Sequence, residues 1–179
     1  MGENAAVHMW AMRVIYVVLA FVFIFFNLLP LKSFPIGWAG PDLFLALTVA
    51  WVLRRPEFVP PLLIALVMVL GDLMYHRPPG LWAAFVLVGA ETLRARYIGL
   101  RDLTFLVEWA SVTTTLVMIT LAYRAVLALL LVDQVPLGLS LMQLVMTLVI
   151  YPVIVVVSQT MFGVRKLAPG DIDALGGRT

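Results

Sequence analysis

Five ionisable residues fall inside or at the edges of apolar stretches of this chain, and any chemistry it performs has to involve them. Asp42, Asp72 and Arg124 form one set, and Glu91 and Glu108 another, near Arg94, Arg96 and Arg101. A charge at membrane depth is costly unless it is paired, wetted or put to use. Asp42, Asp72 and Arg124 suit three arrangements: a guanidinium paired with a carboxylate to hold helices together, an Arg124 wetted where its long helix projects outward, or a polar pocket for a substrate. Glu91 and Arg94 are three residues apart, a spacing at which side chains meet on a helix. With Arg96, Arg101 and Glu108 they make a second charge cluster, expected at an interface. Beyond these, reactive groups are sparse. There is no cysteine, so disulfides, thiolate metal sites and cysteine nucleophiles are excluded. His8 and His76 lie in regions too far apart to share a metal. No HExxH, phosphate-binding glycine loop or GxSxG elbow occurs, and Asp171 and Asp173 stand in a polar tail. The residues give no catalytic, cofactor or metal site, and no enzyme is expected.

The elements that position these charges follow from hydropathy. Of 179 residues, 63% are hydrophobic and 12% charged, with a mean hydropathy of +1.06. A soluble domain carries about a quarter charged residues. Six apolar segments stand out, at 14–31, 42–53, 58–75, 81–93, 103–132 and 137–162. One alternating set of gaps holds Arg13; Arg54 and Arg55; Arg94, Arg96 and Arg101; and Arg165, Lys166 and Arg178. The other holds only Lys32 and Arg77, and Arg124 lies within a segment. Short basic loops stay in the cytoplasm. The pattern predicts an all-α bundle of six membrane helices with both termini cytoplasmic. Residues 1–13 form a cytoplasmic lead, 14–162 the membrane domain and 163–179 a cytoplasmic tail. Asp42, Asp72 and Arg124 then belong to the outer half. The net charge of +2 comes from loop arginines facing anionic lipid, not from a nucleic-acid surface. The apolar run after Arg13 exceeds a signal-peptide core and has no small-x-small cleavage site, so a retained first helix is expected.

The segments are uneven. The second, opened by Pro41-Asp42 and closed by Arg54-Arg55-Pro56, spans only about 18 Å at 1.5 Å per residue; the fifth, about 45 Å, must tilt or protrude. Trp10, Trp51 and Trp109 at the predicted inner ends, and Trp38 and Trp82 at the outer ends, are expected as interfacial anchors. Thr113, Thr114, Thr115 and Thr120 are expected to bond to the backbone of their own helix or to a neighbour. Gly71 and Gly89 are expected to admit close helix approach, and Gln143, Ser158 and Gln159 to join the sixth helix to others. Pro152 is expected to kink it. Short Gly/Pro-bounded helices either line a cavity or pack inside a bundle.

The stretch PDLFLALTVAWVLRRPEFVPPLLIALVMVLGDLMYHRPPGLWA (41–83) resembles the rod shape-determining MreD family of alphaproteobacteria. So do RDLTFLVEW (101–109), Tyr151-Pro152 and the tail FGVRKLAPGDIDALGGR (162–178), in the same order. The resemblance implies a non-enzymatic inner-membrane subunit of the elongation (rod) complex, without a cofactor. Its implied partner is MreC. The wider complex holds the MreB filament, the glycosyltransferase RodA and its penicillin-binding transpeptidase. The implied role is to couple the filament to peptidoglycan synthesis and so maintain cell shape. The family's bundle is similar to the substrate-binding subunits of energy-coupling-factor transporters. That leaves a rival: a membrane subunit binding a vitamin or metal in a polar pocket lined by Asp42, Asp72 and Arg124. Self-association as a homodimer stays open.

Overall fold

The computed structural model describes residues 2–29, 39–96 and 104–164. Among them are six α-helices and no strand: α1 (Gly2–Leu28), α2 (Leu43–Arg54), α3 (Pro61–Met74), α4 (Leu81–Ala95), α5 (Phe105–Leu129) and α6 (Leu137–Phe162). A 3-10 turn, Pro56–Phe58, links α2 to α3. The stops are chemical. Asp42 caps α2, its Oδ1 accepting from Leu45 N at 2.9 Å. Pro61 opens α3 in the first turn, where its missing N–H costs nothing. Gly80, with φ of 81°, turns the chain into α4. Gly163, with φ of 63°, ends α6.

α2 is the centre of the bundle. Every residue from Phe44 to Arg54 is buried. It packs most extensively on α6, and also on α4 and α1. A helix that is apolar all round belongs inside a structure, and at 12 residues α2 is too short to cross a ~30 Å hydrocarbon layer unaided. Three helices are long and apolar enough to cross a membrane: Ala6–Leu28, Phe105–Leu129 and Leu137–Phe162. Their outward faces are apolar, with Val14, Val18, Phe21 and Phe25 exposed on α1, Leu121 on α5, and Val145, Val149 and Val156 on α6. When both the core and the surroundings are apolar, burial alone gives little driving force, and close packing and interhelical hydrogen bonds must hold the helices.

Both devices are present. At Gly89 a Cβ would overlap Ile119 Cδ1 and stand 3.1 Å from Thr115 Cγ2, so α4 and α5 touch nearly backbone to side chain there. Gly71 has no comparable neighbour from another helix. Tyr16 Oη and Thr48 Oγ1, 2.9 Å apart, join α1 to α2. Trp51 Nε1 donates to Ser158 Oγ at 3.2 Å, joining α2 to α6. Thr113, Thr114, Thr115 and Thr120 each return their hydroxyl to the carbonyl four residues earlier, and Pro152 lies inside α6.

Two expectations are corrected. α1 begins at Gly2, not after Arg13. Arg13 lies inside this helix, and its guanidinium reaches out of it to donate from Nε and Nη2 to Glu57 O, at 3.3 and 3.1 Å. Trp51 is not an interfacial anchor. It is 0% exposed, with ring centroids of Tyr16, Phe58 and Phe162 at 5.9, 6.3 and 5.8 Å. Trp10, 61% exposed, has the exposure an anchor requires. Trp109 is half-buried and bonds to Leu148 O. Trp82 packs edge-on against Tyr123, with the Arg77 guanidinium over its ring. Trp38 lies outside the described residues.

Candidate functional site

Polar side chains concentrate at the two ends of α2. At its C-terminal end, Arg54 Nη1 meets Glu108 Oε1 at 2.5 Å, with side chains 3% and 1% exposed. Tyr151 Oη donates to the same carboxylate oxygen at 2.7 Å, and Arg54 Nη1 lies 3.5 Å from that hydroxyl. Arg54 is the last residue of α2, Glu108 sits in the first turn of α5, and Tyr151 is on α6. The placement suits the helix dipoles: the cation is at a C-terminus and the anion at an N-terminus. Arg54 Nε finds no acceptor among the described residues. Phe105 stacks on Tyr151 at 6.4 Å. A cleft of about 410 Å³ opens beside the pair, reaching Pro152, Val156 and Gln159. Such a charge pair fixes three helices in one arrangement, and its integrity depends on both partners because either charge alone would be stranded.

Two more clasps lie at this end. Arg94 Nη2 donates to Val59 O, and Arg94 Nη1 stands 3.5 Å from Glu91 Oε1, the i,i+3 pair expected from the spacing. Arg55 Nη1 bonds to Glu57 Oε1 at 3.1 Å. The expected cluster of Glu91, Arg94, Arg96, Arg101 and Glu108 is therefore redistributed. Glu108 is buried rather than interfacial, and its paired arginine is Arg54, which the charge pattern assigns to a loop. Arg96 is exposed at the C-cap of α4. Arg101 lies outside the described residues.

At the opposite end of α2, each carboxylate organises a helix start. Asp42 caps α2, and its own N–H donates to Thr147 Oγ1 on α6 at 2.9 Å. Asp72, buried on α3, accepts from Ala83 N at 3.1 Å. It thus serves as a cap for α4, whose own N-cap residue, Gly80, has no side chain to offer. The cation whose field both carboxylates feel is Arg77. Its guanidinium lies over the rings of Tyr75 and Trp82, at 5.2 and 5.5 Å.

Arg124 takes neither carboxylate. Its Nη1 donates to Val135 O at 3.0 Å and to Ser140 Oγ at 2.7 Å, while Gln134 Nε2 donates back to Arg124 O. It braces the turn between α5 and α6. Asp42, Asp72 and Arg124 are thus split between two places. A cleft of about 580 Å³ runs between α5 and α6 beside Arg124, and neither Asp42 nor Asp72 lines it. Sequence reasoning overlooked Arg77 and Arg54 as counter-ions, because both read as loop charges.

No family model matches the chain, and neither the curated proteins nor the solved structures contain a significant match to it.

Proposed function

We propose that this chain is a non-enzymatic scaffold subunit of the bacterial elongation complex. It is a multi-pass inner-membrane protein that helps couple MreC and the MreB filament to RodA and its penicillin-binding transpeptidase. The likeness of 41–83, 101–109 and 162–178 to the MreD family supports this reading. One geometric observation favours it over a vitamin- or metal-binding subunit. Asp42 and Asp72 are spent on tying helices together, and Arg124 lies apart from both, on a cleft they do not reach. A substrate pocket would need these polar groups to converge.

In this reading the chain crosses the membrane six times with both termini in the cytoplasm. Arg13, Arg54, Arg55 and Arg94 gather around the α2–α3 connection, which would be the cytoplasmic end. The 12, 14 and 15 residues of α2, α3 and α4 would cross as inner helices, shielded by α1, α5 and α6 and lengthened by the turns that flank them. A periplasm-active reporter fused at Arg77 or Asp133 is then active, and one fused after Arg55 is silent.

Depletion from a rod-shaped host tests the function. The expected result is rounded cells and dispersed wall synthesis, unchanged by added vitamins or metals. Normal shape with a growth defect cured by one nutrient would replace the scaffold with a transporter subunit.

A further inference from the structure

The cleft between α5 and α6 joins two features rarely found together in a lipid-facing surface. Its walls are apolar and partly of small side chains, with Leu121, Ala125 and Ala128 from α5 facing Leu141 and Leu144 from α6. Arg124 and Ser140, each about one helical turn in from the connection, and Gln134 within it supply polar groups to the cleft. No carboxylate lines it. Arg124 is half-buried there, and its guanidinium bonds only to neutral acceptors through Nη1. An arginine has five N–H donors, and those of Nε and Nη2 have no hydrogen-bond partner among the described residues. Among the described residues Arg124 makes no salt bridge, and it is held about five residues, ~7.5 Å, from the C-terminal end of α5. That is within snorkelling reach of a head-group layer.

We propose that this cleft is a binding site for an anionic phospholipid, with an acyl chain lying between α5 and α6 and the phosphate facing Arg124 and Ser140. Charge complementarity points to the headgroup: a cation with spare, coplanar donors, and no carboxylate among the described residues that line the cleft, matches two phosphate oxygens. Shape points to the chain. The cleft, about 580 Å³, follows α5 from Val117 to Ala128 and α6 from Leu137 to Leu144 between mostly apolar walls, a shape that admits a slender acyl chain along its length. The site does not depend on the scaffold reading, since it needs only α5 and α6 in a membrane.

The test uses the purified full-length protein, released from detergent and examined by native mass spectrometry after addition of phosphatidylglycerol or phosphatidylcholine. The wild type should retain phosphatidylglycerol in preference. Arg124→Gln should erase that preference by roughly fivefold, the contribution of one arginine beside an anionic surface, while Arg124→Lys keeps part of it. Ala128→Trp, which fills the cleft and leaves the charge, should lower retention of both lipids. Inorganic phosphate should not compete, because the apolar walls hold the chain. Equal retention of both lipids by the wild type, an unchanged preference in Arg124→Gln, or unchanged retention in Ala128→Trp would each overturn the site. So would disulfide cross-linking of cysteines placed at Ala128 into a dimer of this chain, which would make the cleft an interface.

Discussion

Arg54 and Arg124 are the same residue type in two opposed settings. Arg54 is enclosed, meets a carboxylate and a tyrosine, and ties α2, α5 and α6 into one knot. Arg124 bonds to a backbone carbonyl and a serine and stands beside an open cleft between the same α5 and α6. The two helices are thus joined by an enclosed ion pair at one end, and by hydrogen bonds to neutral acceptors beside an open cleft at the other. A buried ion pair makes one arrangement obligatory, because each charge needs the other. A charge held by neutral acceptors leaves its surroundings free to admit something else.

The contrast predicts unequal consequences of mutation. Glu108→Gln strands Arg54 in an apolar interior and should cost about 3–5 kcal/mol, read as a large fall in thermal stability in detergent and in the amount of protein accumulated. Arg54→Met combined with Glu108→Leu should regain much of it, since two apolar side chains leave no orphan charge. An unaffected Glu108→Gln would show that water reaches the knot and that the two ends differ less than their geometry implies.

Gly89→Leu comes next. The new side chain collides with Ile119 and Thr115, and overpacking of this kind costs about 1–3 kcal/mol. Because α4 holds the middle of α5, this variant gauges how far up α5 the tight packing extends. A loss that vanishes in Gly89→Leu with Ile119→Ala would place the effect in that single contact.

Arg124→Ala should be mildest, at about 1 kcal/mol, the worth of hydrogen bonds to neutral acceptors. Its melting temperature should lie close to that of the parent protein, far above that of Glu108→Gln. Equal losses at Arg54 and Arg124 would erase the distinction between clamped and open ends.

Helix positions were largely legible in the sequence, because proline, glycine and aspartate punctuate them. The expected 137–162 agrees with Leu137–Phe162, started by Pro136 and stopped by Gly163. The expected 81–93 stops two residues short of Ala95. Partners were much less legible. Arg54 and Arg55 are adjacent and look equivalent in a charge pattern, yet one is interior and the other half-exposed. The difference is one of helix phase and the arrival of Glu108, which lies 54 residues away. Trp51 shows the same limit. Indole at a helix end suits a membrane interface, and only the shortness of α2 and its unbroken hydrophobicity signalled a core position. Pairing of Arg124 with a carboxylate was one of the arrangements left open, because its depth matched Asp42 and Asp72. Depth cannot supply lateral position, and Arg77 occupies the place near both acids.

The complete enclosure of α2 bears on how the protein is made. Its largest packing surface is α6, and Trp51 and Asp42 reach Ser158 and Thr147, residues synthesised about a hundred positions later. In the proposed six-span arrangement, α2 would enter the bilayer as a short helix ending in an arginine with no acid to meet, since Glu108 is synthesised later. In that arrangement it would pack first on α1, and its contacts with α5 and α6 would form only when those helices follow. A chain cut short before Leu137 would lack the largest packing surface of α2 and its hydrogen bonds to Thr147 and Ser158, leaving the centre of the bundle uncovered.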